Sequence, residues 1–398
     1  MAKKAETAAA PKKAAAKKPA VKKAVVKKAV VKKAAAKKPA AKKPVAAKTT
    51  PTAIVTGACG FAGGHMVDYL IEKGYKVIAT DLEKAPREYL NPAATFIPAD
   101  ITNIKSLEPL FKTKVDKVFH PAAVFDYEAP WELCEKVNVG GMRNICDISL
   151  KNKVSSFVLF STVSVYGHPE PDELPVREDN VKRPGTNYER SKLMQEEIGL
   201  EYVKKGLPVA VVRPAPVYGP RNTYGMATIL FLLAKFPIMP FPINFDSYIV
   251  GVNVRDVCGA AYFVSTKKEA VGECYNVIDS SRYSIREFVE FVCPLMNVHI
   301  IPIFIPQDFL MKLADQAADV AKSVSKLMGT RPFVEKDMVY YLKAIYTFSN
   351  DKLRALGYEF EYPDMLDGIR ETIEWYKDNG YLDRWDLWQK ALFTKMDQ

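Results

Sequence analysis

The chain has 398 residues, of which 48% are hydrophobic, which is enough for one large α/β domain or a domain and a half beside an unstructured segment. Its net charge of +11 is unevenly distributed. Residues 1–50 contain 17 lysines and one acid, Glu6, whereas residues 51–398 contain 40 basic and 45 acidic residues. The basic character therefore belongs to the N-terminal segment, and the mildly acidic remainder gives no reason to bind nucleic acid.

Residues 1–50 consist almost entirely of Ala, Lys, Pro and Val, with Lys-Lys pairs every five residues from Lys12 to Lys43. Successive pairs would rotate by about 140° around an α-helix and form no single face, and repulsion between lysines predicts a disordered tail. The segment resembles the tails of linker histones. Through residues 1–48 it has the charge to bind DNA, RNA or an anionic membrane surface without sequence specificity, and the alternative is a solvated extension without a partner.

No signal-peptide or organelle-import pattern is found, so the expected location is cytoplasmic, with nuclear or membrane-surface association through the tail as an alternative. The six cysteines have no paired spacing and are expected to be reduced, and the four histidines have no ligand spacing, so no metal is expected. Two apolar stretches, 226–243 and 298–313, are interrupted by prolines and charges. We expect no transmembrane span and interpret both stretches as pocket lining or as surface that contacts a membrane.

The first predicted β-strand, Thr52–Thr56, is a short β-branched run that is followed by Gly57, Gly60 and Gly63. Glycine permits a tight turn and a close approach of the backbone to a pyrophosphate at the start of a helix. Glycine turns alone are common, but here an amphipathic helix and a second strand follow in order. This order predicts a dinucleotide-binding βαβ unit.

The second predicted strand, Lys76–Thr80, ends at Asp81, 18 residues after Gly63. A carboxylate at this strand tip accepts hydrogen bonds from the adenosine ribose hydroxyls and repels a 2′-phosphate, which predicts NAD as the cofactor. Arg87 lies nearby in sequence and has the charge to favour NADP instead.

Further strands are predicted at 96–99, 115–120 and 156–160, and they lead to the polar residues Asp100, His120 and Thr162. Ligands of doubly wound sheets lie beyond the carboxyl ends of the strands, so these residues are candidates for the site. Asp100 is expected to accept from the adenine amino group, and the small side chains at 121–123 leave room for the cofactor. A long helix is predicted over about residues 131–150.

Tyr188 and Lys192 lie in a predicted helix over Asn187–Lys204, and their four-residue separation places both on one face. A free tyrosine has a pKa of about 10, and a nearby ammonium stabilises the phenolate and lowers that pKa. Thr162 would hold the reacting oxygen in line. This spacing is common on helix surfaces, and it predicts catalysis here because a dinucleotide site precedes it.

These motifs resemble those of extended short-chain dehydrogenase/reductases over about residues 52–380. The family's TGxxGFxG corresponds to 56–63, and the asparagine of its NVxGTxN corresponds to Asn138. Its YxxxK corresponds to Tyr188–Lys192 and its RPxxVYGP to 213–220.

The resemblance implies that Tyr188 is the acid/base and that Lys192 binds the nicotinamide ribose. It assigns polarisation of the reacting oxygen to Thr162, with Ser161 as the alternative. The strand ends and the resemblance together imply that NAD is bound by Gly57, Gly60, Phe61, Ala62, Gly63, Asp81, Asp100, Ile101, Pro121, Ala122, Ala123, Asn138, Tyr188, Lys192, Pro214 and Val217.

The predicted fold is an α/β doubly wound parallel sheet of the Rossmann type, with a smaller C-terminal substrate-binding lobe and the disordered N-terminal tail. The expected domains are the tail at 1–50, the NAD-binding domain at 51–220, and a mainly substrate-binding lobe at 221–398 from which some segments return to the NAD-binding domain. Because helices beside such active sites often dimerise in this family, the resemblance also implies a homodimer.

Extended family members divide broadly into nucleotide-sugar epimerases and dehydratases, and dehydrogenases of sterol-like or other apolar alcohols and ketones. Sugar-nucleotide members typically carry an Asn just before VYGP and an Arg shortly before the strand at 252–254, where this chain has Pro216 and Ile249. Losing both contacts to a diphosphate would be costly, so an apolar pocket is predicted. Apolar residues crowd 231–241 and 300–305, which agrees with such a pocket.

The segment His299–Pro302 and the predicted helix Gln307–Leu327 resemble the 3β-hydroxysteroid dehydrogenase and dihydroflavonol reductase branches. The preferred interpretation is an NAD-dependent enzyme that interconverts a secondary alcohol and a ketone on a small sterol-like or other lipophilic substrate. The alternatives are a nucleotide-sugar epimerase or dehydratase, and a non-catalytic NAD-binding protein tethered to a polyanion by its tail. Tyr188 and Lys192 argue against the last.

Overall fold

The computed structural model of the chain describes residues 50–242, 247–328 and 347–382. Two units are distinguished, 1–48 and 49–398. The first lies outside the described residues, and so do the predictions of disorder and of polyanion binding made for the tail.

A seven-stranded parallel sheet forms the centre of the described structure. The strands in chain order are β1 (Thr52–Thr56), β2 (Lys76–Thr80), β3 (Thr95–Phe96), β4 (Lys117–His120), β5 (Ser156–Phe160), β6 (Val209–Pro214), β7 (Val217–Tyr218), β8 (Ile238–Pro242), β9 (Tyr248–Ile249), β10 (Val252–Asn253), β11 (Cys274–Val277), β12 (Tyr283–Ser284) and β13 (His299–Ile303). The sheet has the order β11-β6-β5-β4-β1-β2-β3. From β1 the chain adds strands first on one side (β2, β3) and then on the other (β4, β5, β6). At this switch point between β1 and β4 a doubly wound sheet has a crevice beyond its carboxyl edge.

Helices cover both faces of this sheet. The α-helices of the described residues, on the sheet and in the C-terminal part, are α1 (Phe61–Glu72), α2 (Ile104–Leu107), α3 (Trp131–Cys134), α4 (Gly141–Lys151), α5 (Asn187–Lys204), α6 (Met226–Ala234), α7 (Val254–Val264), α8 (Ile285–Leu295), α9 (Gln307–Met328), α10 (Asp351–Ala355) and α11 (Met365–Asp378). Val55 of β1 packs in one core with α1 and α7, and its neighbour Ile54 packs in a second core with α4 and α5. Because successive strand residues face opposite sides, both faces of β1 are buried, which explains its uninterrupted apolar sequence. The predicted Rossmann-type α/β fold is confirmed.

The C-terminal part of the chain builds a smaller, separate core. Short strands pair as β7 with β10, β8 with β13 and β9 with β12, and α6, α8 and α11 pack through Leu230, Phe288 and Ile369. Two segments return to the sheet, since β11 pairs with β6 and α7 packs against α1. No helix of the described residues is long and apolar enough to cross a bilayer.

Several predicted element bounds match the structure, including β1, β2, β5 and α5. The strand predicted over 96–99 is shortened to β3. Beyond it, the N–H groups of Ile97 and Ala99 still donate to the carbonyl oxygens of Ala79 and Asp81. The helix predicted over 131–150 is interrupted by a wider π-helical turn at Glu135–Gly140 between α3 and α4.

Candidate active site

The turn between β1 and α1 is packed so closely against neighbouring backbone that it requires glycine at two positions. Gly57 has φ +59°, and a Cβ on it would lie 2.9 Å from the Ala122 Cα, whereas a Cβ on Gly63 would overlap the carbonyl oxygen of Gly57. Helix α1 begins at Phe61 with Gly60 as an N-cap that lacks a side-chain hydrogen bond, and its first turn has no acidic residue. The N–H groups of this turn, including that of Ala62, are therefore not capped by a side chain. They form a cradle that fits the pyrophosphate of a dinucleotide.

Asp81 lies directly beside this cradle. One of its carboxylate oxygens accepts a hydrogen bond from the N–H of Cys59 over 3.0 Å and the other accepts from the N–H of Leu82 over 2.8 Å. Arg87 pairs with Glu83 and stacks 4.4 Å from the centre of the Phe96 ring, and its charge still reaches Cys59, where it opposes the increase in the pKa of the thiol that burial causes. The arrangement leaves a carboxylate at the strand tip, as predicted for a residue that binds ribose hydroxyls.

The other predicted cofactor residues surround the crevice at different depths. Asp100 is exposed and accepts from the N–H of Thr102, whereas Ile101 is buried. The loop after β4, with the half-buried Pro121, Ala122 and Ala123, passes the glycine turn, and Pro214 and Val217 lie at the ends of β6 and β7.

Asn138 lies behind the crevice, in the π-helical turn. Its side-chain oxygen accepts from the N–H of Val124 over 2.7 Å, and its amide nitrogen donates to the Ser191 Oγ over 2.8 Å. Both hydrogen-bonding groups of this buried side chain therefore have protein partners. They connect the loop after β4 to α5, and the cofactor contact carried over from the family remains a prediction.

Tyr188 enters the site from the first turn of α5, which a capping box between Thr186 and Glu189 fixes. The tyrosine is only 6% exposed and makes edge-to-face contacts with Phe125, at 5.1 Å between ring centres, and with Tyr127, at 5.4 Å. Burial raises the pKa of Tyr188 well above its ordinary value. This direction is opposite to the one expected from a neighbouring ammonium, because the apolar surroundings disfavour the phenolate.

Lys192 follows one helical turn later and is almost completely buried. Its ammonium donates to the carbonyl oxygen of Phe160 and to the Oε1 of Gln195, each over 2.6 Å. Burial lowers the pKa of Lys192 to about 7, and the nearby Glu196 carboxylate opposes this shift. An ammonium has three N–H groups, so one donor remains beyond these two contacts for a ribose hydroxyl or a phenolate.

The two hydroxyls at the end of β5 have different surroundings. The hydroxyl of Ser161 donates to the Oε1 of Glu196 over 2.5 Å in the protein interior. Thr162 is the N-cap of a short 3-10 helix, where its Oγ1 accepts from the N–H of Ser164 and lies 3.0 Å from the Ser164 Oγ. Ser164 also lies 3.4 Å from the hydroxyl of Tyr127. This places Thr162 on the same side as the aromatic residues around Tyr188 and favours it over Ser161.

A buried ion pair supports this end of the sheet. Arg213 donates to both carboxylate oxygens of Glu196, over 2.9 and 2.6 Å, and both side chains are about 3% exposed. The same guanidinium donates to the hydroxyl of Tyr166 over 2.7 Å, and that hydroxyl donates to the Oδ1 of Asn276. The pair connects α5 to the end of β6.

Five residues of the site were not predicted from the sequence: Phe125, Tyr127, Ser164, Gln195 and Glu196. A signal existed for the last two, because positions three and four after Lys192 lie on the same helix face. The two aromatic residues lie in an irregular loop, where no periodicity indicates which side chains turn towards the site. Among the described residues, no group of three or more His, Cys, Asp or Glu is arranged to hold a metal ion.

A model of the NAD dependent epimerase/dehydratase family matches residues 53–277. The chain belongs to this family, whose members of the extended short-chain dehydrogenase/reductase type are NAD-dependent enzymes. The predicted family, enzyme class and cofactor are thereby confirmed, and the glycine cradle and Asp81 fit that cofactor.

Relatives with different substrates resemble the chain to a similar degree. It is 27% identical to an uncharacterised protein of Sinorhizobium fredii, over 82% of this chain and 79% of the relative. It is 26% identical to the decarboxylating sterol-4-alpha-carboxylate 3-dehydrogenase of Mus musculus, over 80% and 89%. It is 25% identical to a trifunctional UDP-glucose 4,6-dehydratase of Arabidopsis thaliana, over 83% of this chain but only 48% of the relative.

Solved structures agree with the fold. A UDP-glucose 4-epimerase of Thermotoga maritima, solved with UDP-glucose, has a TM-score of 0.65 at 23% identity and covers 82% of this chain and 99% of its own. A UDP-glucose 4-epimerase of Thermus thermophilus, solved with NAD, has a TM-score of 0.62 at 22% identity, with coverage of 82% and 99%.

Proposed function

We propose that the protein is an NAD-dependent oxidoreductase that interconverts a secondary alcohol and a ketone on a sterol-like or other lipophilic molecule. Tyr188 exchanges the hydroxyl proton, Lys192 holds the nicotinamide ribose, and Thr162 donates a hydrogen bond to the reacting oxygen. NAD supplies the hydride acceptor when an alcohol is oxidised. The substrate carbon then loses a hydride, its hydroxyl proton passes to the phenolate oxygen of Tyr188, and the C–O bond becomes a carbonyl.

Lys192 has to offset the effect of burial on Tyr188. The apolar surroundings raise the pKa of Tyr188, and a positive charge or a hydrogen-bond donor close to the phenolate can lower it again. The ammonium is held one helical turn away by Phe160 and Gln195 and keeps one donor beyond these two contacts. These contacts leave an N–H for the ribose, and stabilisation of the phenolate by the same ammonium is part of the proposal.

The aromatic surroundings of Tyr188 are the observation that carries the substrate class. Phe125 is 45% exposed and contacts the Tyr188 ring, and Tyr224 lies 5.3 Å from Phe125 between ring centres. A substrate that reaches the phenol therefore meets aromatic surface, which favours an apolar ring system over a sugar. Pro216, at the position where an Asn would contact a diphosphate, is exposed and has no N–H to donate.

The nucleotide-sugar alternative is favoured by a different observation, since the solved structures reported above are UDP-glucose 4-epimerases. Two measurements separate the substrate classes. Hydroxysteroids, flavonoid-type ketones and nucleotide sugars are each mixed with the protein and NAD or NADH, and the NADH absorbance is followed. In parallel, melting temperatures are compared with NAD plus UDP, dTDP or each lipophilic compound.

Turnover of a lipophilic alcohol or ketone is expected, and a ligand at a hundred times its Kd should stabilise the fold by about 2.7 kcal/mol. UDP and dTDP should change the melting temperature very little. A clear stabilisation by UDP or dTDP, with none from the lipophilic set, would replace this proposal with the sugar-nucleotide function.

A further inference from the structure

Among the described residues, four large apolar side chains of helix α9 are exposed. Phe309, Leu313, Val320 and Val324 are between 47% and 63% exposed. At about 100° per residue they fall within an arc of about 60°, along about 22 Å of the helix. We call these four residues the apolar stripe. Surface helices ordinarily bury their large apolar side chains, whereas α9 buries an alanine side, with Ala318 1% exposed, and leaves this stripe exposed.

The opposite side of α9 faces the body of the protein. Ala318 is 1% exposed, and Lys322 forms an ion pair with Glu128 at 2.6 Å. Both lie roughly half a turn from the apolar stripe. Glu128 follows Tyr127 in the loop that contacts Tyr188, so the inner side of α9 lies against the loop of the candidate active site.

Exposed apolar side chains are also found in the segment before α9 and in the strand paired with it. Phe304, between β13 and α9, is 75% exposed, and Ile301 of β13 and Ile238 of β8 are about half exposed. His299 of β13 pairs with Ile238 of β8, so the two strands lie side by side. Exposed large apolar residues on this scale mark contact surfaces in soluble proteins.

We infer that the apolar stripe and these three preceding side chains form a docking surface for an anionic lipid bilayer. Charge complementarity selects this partner. Residues 1–50 carry 17 lysines against one acid, and an anionic bilayer neutralises that charge, whereas self-association would double it. An apolar face combined with a polybasic segment supplies the two contributions that stable peripheral attachment requires.

The inference deepens the proposed function and in part rests on it. A lipophilic substrate partitions into membranes, and α9 lies between the exposed apolar surface and the loop that carries Tyr127. Attachment through the apolar stripe would place the active-site loop beside the source of the substrate.

Vesicle sedimentation of the full chain tests the inference without any substrate. Binding to mixed phosphatidylcholine–phosphatidylserine vesicles should exceed binding to phosphatidylcholine alone, and salt should weaken it without abolishing it. The variant L313S/V320N should lower the partition coefficient by about tenfold or more. The matched control is L133S/V181N, which changes a leucine and a valine that are 42% and 57% exposed elsewhere on the surface. This control should bind like the wild type, and both variants should keep the wild-type melting temperature.

Equal vesicle binding by L313S/V320N and its control, or no binding by the wild type, would overturn the inference. Sedimentation velocity tests the alternative that a second copy of the chain covers the apolar stripe. If L313S/V320N converts a dimer to a monomer and leaves vesicle binding unchanged, the stripe is a self-association surface instead. Stripe-dependent binding to vesicles, together with no turnover of lipophilic compounds, would refute the proposed substrate and leave the docking surface in place.

Discussion

The side chain of Gln195 joins Lys192 to the backbone of Asn138: its Oε1 accepts from the ammonium over 2.6 Å, and its amide donates to the Asn138 carbonyl over 3.0 Å. All three groups are buried. The amide therefore fixes the position of the ammonium by a link between α5 and the π-helical turn that carries Asn138. Its orientation follows from its two partners, because only the oxygen can accept from an ammonium.

Gln195 is expected to act as a positioning residue for Lys192. Q195L removes one of the two acceptors of the ammonium and should lower the pKa of Lys192. As the pH rises, the ammonium then loses its proton earlier, so the alkaline limit of activity should move to lower pH than in the wild type. Q195E adds a negative charge and should move this alkaline limit to higher pH. We expect Q195L to reduce kcat/KM by about tenfold, which corresponds to about 1.4 kcal/mol. The pH profile of kcat/KM distinguishes this role from a structural one. If Gln195 were purely structural, Q195L and Q195E would not move the alkaline limit in opposite directions.

Tyr188 is expected to be required for turnover but not for NAD binding. Y188F keeps the aromatic ring and its contacts with Phe125 and Tyr127 and loses the group that exchanges the proton, so activity should fall by about a hundredfold or more. The matched control is Y127F, which removes a neighbouring hydroxyl from a similar aromatic position. NAD titration and steady-state kinetics provide the measurements. Activity of Y188F within about tenfold of the wild type would exclude Tyr188 as the acid/base.

Asp81 is expected to set the preference for NAD over NADP. D81S should reduce the difference between the two dissociation constants, because the negative charge that repels a 2′-phosphate is gone. In E83S, Arg87 loses its ion-pair partner, and binding of NADP should improve while Asp81 stays in place. A wild type that binds NADP more tightly than NAD would show that Arg87 dominates.

His120 should make the fold sensitive to acid. It is fully buried, its Nδ1 lies 2.7 Å from the Thr56 Oγ1, and burial, with a smaller effect of the Lys192 charge, lowers its pKa from 6.5 to about 3. Between these two values the unfolded chain binds a proton that the folded chain does not. The contribution of His120 to stability therefore declines as the pH falls from 6.5 towards 3, by about 1.4 kcal/mol per pH unit.

H120N keeps a short polar side chain at this position and removes the titration. Its free energy of unfolding should depend less steeply on pH in this window than that of the wild type. H299N, at an exposed histidine of β13, should retain the wild-type slope. Equal slopes for the wild type and H120N in denaturant titrations would contradict the buried, neutral state of His120.

Local sequence was sufficient for the elements that position the cofactor and the reactive pair. The bounds of β1 and β2 follow from short apolar runs beside a glycine turn, and α5 was predicted over the residues it occupies, all from signals that act within a few residues. The common face of Tyr188 and Lys192 follows from helix geometry alone. The carboxylate of Asp81 at the second strand tip then predicted NAD, and the family motifs predicted the family to which the chain belongs.

Tertiary structure decided the contacts that join distant parts of the chain. The partners of Lys192 include the carbonyl of Phe160 on β5, which lies 32 residues away, and local periodicity carries no information about such a pair. The same holds for Phe125 and Tyr127, whose loop has no repeating pattern. For α9, the sequence defines an amphipathic helix but not which side faces the protein. Its inner side contacts Glu128, which lies 194 residues away from its partner Lys322 in the chain, and only the folded structure shows that the apolar stripe is exposed.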